Sequence, residues 1–193
     1  MSKIEQNRQR KKQAILSAAR ESFLLEGYVA TSVDEIASRA QITKQTLYRY
    51  FASKQELFEA TLHDIASQHD QSYVKALQQN DVRMALVGFA EGFVQFHLST
   101  EHLATYRLLV NESVQAPEMV QSFFEVGPDS TDQVLADFMQ QHFPQHVDKT
   151  ELWLAMLLAP RNGALLGMQN LNQQQIKQHA KQATDFFLAA LSA

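Results

Sequence analysis

QITKQTLYRYF, residues 41–51, is the stretch on which the fold turns. Thr43 can cap a helix through its hydroxyl, and the spacing predicts a short helix over 43–50. At about 100° per residue, Leu47, Tyr50 and Phe51 share an arc of about 100° that also holds Thr43. Lys44, Gln45, Tyr48 and Arg49 fill a separate arc of about 140°. A helix of about two turns does not persist alone in water. Its apolar arc therefore has to be packed, which leaves the polar arc displayed.

The residues upstream supply the packing. A first helix is predicted from Asn7 to Glu26, with Ile15, Ala18, Ala19 and Phe23 on one face. Gly27 follows, where a left-handed cap costs least. Ser32 and Glu35 form a capping box, and Val33, Ile36, Ala37 and Ala40 stripe the short second helix that it starts. QIT then makes a turn, and a positive φ at Gln41 would cost roughly 1 kcal/mol more than at glycine. After the 43–50 helix, Ser53 and Glu56 form a second capping box that starts helix four.

The wider composition bounds what such a head is for. The chain has 193 residues, 45% hydrophobic and 20% charged, with six glycines, four prolines and no cysteine. Few turn formers argue for long helices, and the missing thiols exclude disulfides and thiolate metal sites. The net charge of −4 hides an asymmetry. Residues 1–54 carry ten Lys and Arg against five Asp and Glu, while the remainder carries seven against sixteen. A basic head of +5 on an acidic body of −9 suits a head that meets a polyanion.

The pattern of short helix, tight turn and short amphipathic helix is a helix-turn-helix, whose second helix lies in the DNA major groove. Lys44 and Arg49 suit guanine edges or phosphates, and Gln45 suits adenine. Hydroxyls of Thr31, Ser32, Thr43 and Tyr48 suit phosphate oxygens, as does Lys54 at the start of helix four. Residues 10–58, with GYVATSVDEIA, TLYRYF and SKQEL, resemble the DNA-binding domain of the TetR family of repressors. The one departure is Gln41, where glycine is usual. The resemblance implies an all-α fold: a three-helix DNA-binding domain, a larger helical regulatory domain, and a homodimer. The division falls at residues 1–53 and 54–193, the family-style head extending over about 9–69. Double-stranded DNA with a palindromic operator is the implied partner.

The body is predicted to be helical over roughly 54–79, 81–99, 102–115, 117–126, 130–142, 149–168 and 172–192. Helix five is apolar nearly all round, so it should be central. Aromatic residues and methionine could line a cavity for a small hydrophobic or amphipathic effector, with His69, Phe89, Phe93, Phe96, Tyr106, Phe123, Trp153 and Met156 as candidates. Core packing is the plainer reading of each. YRLLVNES (106–113) and PEMVQSFFEVGP (117–128) are similar to the regulatory domain of the AefR-like subgroup, less closely than the head is to its family. Gly163 and Gly167 form a G-x-x-x-G, and Ala183 and Phe187 lie on the stripe of the last helix. The resemblance implies that these two helices pair with their copies, and Pro160 should kink the first of them.

Other classes fit less well. The seven histidines contain no HExxH, and no G-x-S-x-G, P-loop or dinucleotide fingerprint occurs. No catalytic residues, metal or cofactor are expected. The apolar run 152–168 is interrupted by Pro160, Arg161 and Asn162 and falls short of a membrane span. The N-terminus lacks the apolar segment of a signal peptide, so a cytoplasmic location is expected. The sequence thus points to a homodimeric repressor that a small effector releases from its operator. An effector-free, nucleoid-type DNA protein is the alternative, and it would need no half-site spacing.

Overall fold

The computed structural model describes residues 2–68, 71–126, 129–168 and 170–191, and among them every regular element is helical. In chain order these are α1 (Lys3–Glu26), α2 (Val33–Arg39), α3 (Lys44–Tyr48), α4 (Lys54–Gln68), a 3₁₀ segment (Gln71–Gln78), α5 (Val82–His97), α6 (Thr100–Glu112), α7 (Pro117–Val126) and α8 (Asp129–His142). A 3₁₀ turn (Val147–Lys149), α9 (Thr150–Leu157), α10 (Arg161–Leu165) and α11 (Gln173–Leu191) complete the chain. The all-α expectation is met.

Local chemistry sets most boundaries. α1 begins earlier than Asn7 because the Ser2 hydroxyl accepts from Glu5 N at 3.2 Å. Ser32, Thr43 and Ser53 cap α2, α3 and α4 by accepting from the amides of Glu35, Thr46 and Glu56. Each satisfies an N–H that the first helical turn leaves orphaned. Gln41 adopts φ 55°, and the amides of Gln41 and Ile42 donate to the carbonyls of Ser38 and Ala37. That is a Schellman ending with glutamine where glycine is cheapest.

Two compact units result, one of residues 1–68 with 104–127 and one of residues 69–103 with 128–193. The first takes in α4 and α7. Leu57, Phe58 and Leu62 of α4, with Leu108, Leu109 and Met119, are buried in the same core as Ile15, Phe23, Ile36 and Leu47. Phe58 packs edge-on against Phe23 and Tyr28, at centroid distances of 5.3 and 5.1 Å. In the second unit α5 is central, packing on the 71–78 segment and α11. Gly88 and Gly92 make that approach possible. A Cβ on Gly88 would come 2.9 Å from the Ala76 Cβ, and one on Gly92 would strike Tyr73.

Two expected helices are not continuous. The 54–79 helix ends as α4 at Gln68, and 71–78 is 3₁₀. The 149–168 helix is broken, not kinked. Pro160 has no N–H to give, the amides of Ala159 and Arg161 turn back three residues to Met156 and Leu158, and α10 starts afresh. Gly167 lies beyond α10 at φ 70°, with Gly167 N on Ala164 O and Met168 N on Gly163 O. It closes a helix, so the G-x-x-x-G is not a stripe on one helical face. Among the described residues no helix is long and apolar enough to cross a membrane.

Candidate nucleic-acid interface

α3 is a single short helix fixed from behind. Leu47 is fully buried and Phe51 nearly so, while Tyr50 is half-buried against the same core. Both apolar residues beyond Tyr48 keep their arc because the amides of Tyr50 and Phe51 turn back onto Leu47 O. The opposite side exposes Lys44, Gln45, Tyr48 and Arg49, with Tyr48 44% accessible. The sequence-predicted polar arc is thus one contiguous exposed surface.

The charged groups around α3 are partly held by the chain itself. Lys44 Nζ donates to Asp34 Oδ2 of α2 at 2.8 Å. The hydrogen bond and charge of Asp34 hold the Lys44 ammonium above the usual lysine range. Lys54, at the first turn of α4, donates to Val29 O at 3.2 Å and sits 4.6 Å from the centroid of the Tyr28 ring. Burial pushes its pKa down, opposed by the charge of Glu112. Arg39 ties α2 to α1 through Glu26 at 2.6 Å and reaches Glu35 at 3.4 Å.

The hydroxyl candidates divide. Ser32 and Thr43 are exposed caps, and the Thr43 and Thr46 hydroxyls are 2.9 Å apart. Thr31 is 2% exposed, and its hydroxyl is given to Gly27 O at 2.6 Å and Ser22 O at 3.1 Å. It fastens the loop behind α2. Sequence reasoning misses Asp34: its place in the first turn of the capped α2 is local, but its contact with Lys44 is set by the packing of two helices.

The effector candidates are dispersed. Phe89, Phe93 and Trp153 are buried in the core of the second unit. Their rings run from Tyr73 through Phe89 (5.5 Å) and Trp153 (5.8 Å) to Phe187 (5.4 Å). Phe96 and Met156 are half-buried there, and the Trp153 indole N–H is buried without a hydrogen-bond partner. Tyr106 and Phe123 pack against the core of the first unit, and His69 lies outside the described residues. Among the dimer candidates, Phe187 is buried, Ala183 and Gly163 are half-buried, and Gly167 is exposed. Sequence reasoning missed Leu152 and Phe186, which are 62% and 68% exposed. With Ala155, Met156 and Ala190 they line an apolar groove of about 700 Å³ between α9 and α11.

Residues 15–61 match the family described as bacterial regulatory proteins, tetR family. Residues 84–145 match the AefR-like transcriptional repressor C-terminal domain. The HTH-type transcriptional activator FasR of Mycolicibacterium smegmatis is 37% identical over 112 residues, 54% of this chain and 48% of its own. The HTH-type transcriptional regulator YvkB of Bacillus subtilis is 31% identical over 134 residues, 65% of this chain and 64% of its own. The chain thus spans about half to under two thirds of the length of these curated relatives. Solved structures match more completely. A TetR-family transcriptional regulator from Mesorhizobium loti superimposes with TM-score 0.73 over 94% of this chain and 96% of its own, at 24% identity. The Flavonoid-responsive Regulator FrrA gives the same TM-score and coverages at 27% identity. These relatives are named as regulators, not enzymes. A family-type head and an AefR-like body follow one another here in the same order as the helices just described, and the chain belongs to the TetR family of bacterial regulatory proteins.

Proposed function

We infer that the chain is a sequence-specific DNA-binding transcriptional regulator that acts as a homodimer on a near-palindromic operator. The observation that carries this is α3, packed by Leu47 on one side and exposing Lys44, Gln45, Tyr48 and Arg49 on the other. The major groove, about 12 Å wide, admits one helix, and these side chains are the types that hydrogen-bond base edges and phosphates. Lys54 leaves Tyr28 and Val29 for a phosphate when DNA is present. Thr31 supports the loop from inside, while Ser32, Thr43 and Tyr48 face the backbone.

Pairing uses the apolar face of α9 and α11. Leu152 and Phe186 stand exposed along one apolar groove, and burying them against a second copy removes that contiguous apolar surface from solvent. The pairing sets two α3 helices about 34–36 Å apart, one turn of DNA. The effector site is the aromatic core of the second unit. The unpartnered Trp153 N–H offers a donor to an oxygen of a small apolar ligand, with Phe89, Phe93, Phe96 and Met156 around it. The flavonoid response named for FrrA is in keeping with an aromatic effector of this kind. Ligand entry repacks that core, tilts α4, changes the spacing of the two α3 helices and releases DNA.

Repression is the working mode, in line with the AefR-like repressor match; activation is the second reading, favoured by the likeness to FasR. Footprinting on DNA selected from random sequence tests the proposal. Two protected half-sites related by a twofold axis, one helical turn apart, are expected. A continuous footprint without half-sites would point to the nucleoid-type alternative.

A further inference from the structure

The turn between α2 and α3 brings an ammonium and a carboxylate from two helices to one spot. Lys44 Nζ donates to Asp34 Oδ2 at 2.8 Å, and the two side chains are 48% and 67% exposed. So open an ion pair adds little to folding stability. The joint does not need it either: the Schellman ending at Gln41 and the buried side chains of Ile36, Ala37 and Leu47 already fix α3 on α2. An unpaired carboxylate beside a recognition helix would repel phosphates. Held on Lys44, the same carboxylate is neutralised and becomes an oriented hydrogen-bond acceptor.

We propose that Asp34 and Lys44 form a single specificity element that reads one G·C base pair in each half-site, Lys44 on guanine and Asp34 on cytosine. The proposal rests on the reading of α3 as a DNA-recognition helix. On the major-groove edge guanine presents the O6 and N7 acceptors, and cytosine presents the N4 amino donor next to O6. O6 and N4 are hydrogen-bonded to each other, about 2.9 Å apart. The protein offers a donor and an acceptor 2.8 Å apart, the complement of that edge. An A·T pair also presents a neighbouring donor and acceptor, at adenine N6 and thymine O4. Beside O4, however, thymine carries its methyl group, where guanine carries N7. An ammonium with three donors finds a second acceptor on guanine and an apolar group on thymine.

Binding-site selection from a randomised duplex library, run with the full-length chain and with Asp34→Asn and Asp34→Ala, tests this. Both variants change an exposed side chain, and matched thermal melts check that they fold. The wild type is expected to return a twofold site with one fixed G·C position per half-site. Asp34→Ala should relax that position by about tenfold. Asp34→Asn should relax it or turn it towards adenine, which an amide can read. All other positions should keep their preference. Identical preferences in wild type and both variants would overturn the proposal and leave the regulator reading standing. So would a common gain in affinity on all duplexes, which would mean that the carboxylate only repels phosphate. A wild type that selects no twofold site would overturn both.

Discussion

At the scale of single residues, the chain holds its key cations in check. Lys54 is engaged by the Tyr28 ring and Val29 O while standing at the first turn of α4. Replacing it with alanine should weaken binding to cognate and random DNA by the same factor and reduce the salt slope by about one. Titrations of both DNAs at several salt concentrations read both quantities, and a loss confined to cognate DNA would reassign Lys54 to base reading. His97 makes a different prediction. Its Nδ1 is 2.8 Å from Phe93 O, and the rings of Phe93, Phe96 and His102 lie 4.0, 5.0 and 4.6 Å away. Burial pushes its pKa from 6.5 down to about 4, opposed by the Phe93 carbonyl and aided by the charge of Arg161. Between those values the unfolded chain binds the proton and the folded one does not. Stability is therefore complete above pH 6.5 and falls as the pH falls towards about 4, by up to about 3 kcal/mol. Urea unfolding against pH should show this loss in the wild type and a correspondingly smaller one in His97→Phe.

At the scale of elements, α2, α3 and the turn between them carry a known strain. Gln41 at φ 55° sits where glycine is unstrained, so Gln41→Gly should raise stability by up to about 1 kcal/mol. Denaturant midpoints of the two chains check this, and a lower midpoint would show that the glutamine side chain does more than its backbone costs. This turn was legible in the sequence, as were the caps at Ser32, Thr43 and Ser53. Each depends on residues within four positions of one another. What the sequence hid depended on distant partners. The G-x-x-x-G at Gly163 and Gly167 looked like a close-packing stripe, yet Pro160 breaks the helix before it and Gly167 ends α10. Gly88 and Gly92 do admit a close neighbour, and their role depends on where the 71–78 segment folds. In the same way Thr31 resembled an available hydroxyl until the carbonyls of Ser22 and Gly27 lay against it. The pairing of Lys44 with Asp34 depends on the angle between two helices, which no local pattern encodes.

At the scale of the whole molecule, the head carries +5 and the remainder −9, and the proposed function gives DNA to the first and pairing to the second. The exposed Leu152 and Phe186 beside the groove of α9 and α11 bear on the second. Phe186→Glu should leave the helical content intact and give a monomer in sedimentation. It should also lower affinity for a two-half-site operator by roughly a hundredfold, because the second half-site is no longer bound intramolecularly. An undisturbed dimer would move the pairing surface elsewhere. The central claim is that the exposed arc of α3 enters duplex DNA, and since the chain has no cysteine, a single introduced thiol can report on it. A photo-crosslinker on Gln45→Cys should attach to bases in both half-sites of bound DNA, while the same probe on Gln178→Cys should attach to none. Failure of the Gln45 probe to cross-link, or cross-linking no stronger than from residue 178, would contradict the account.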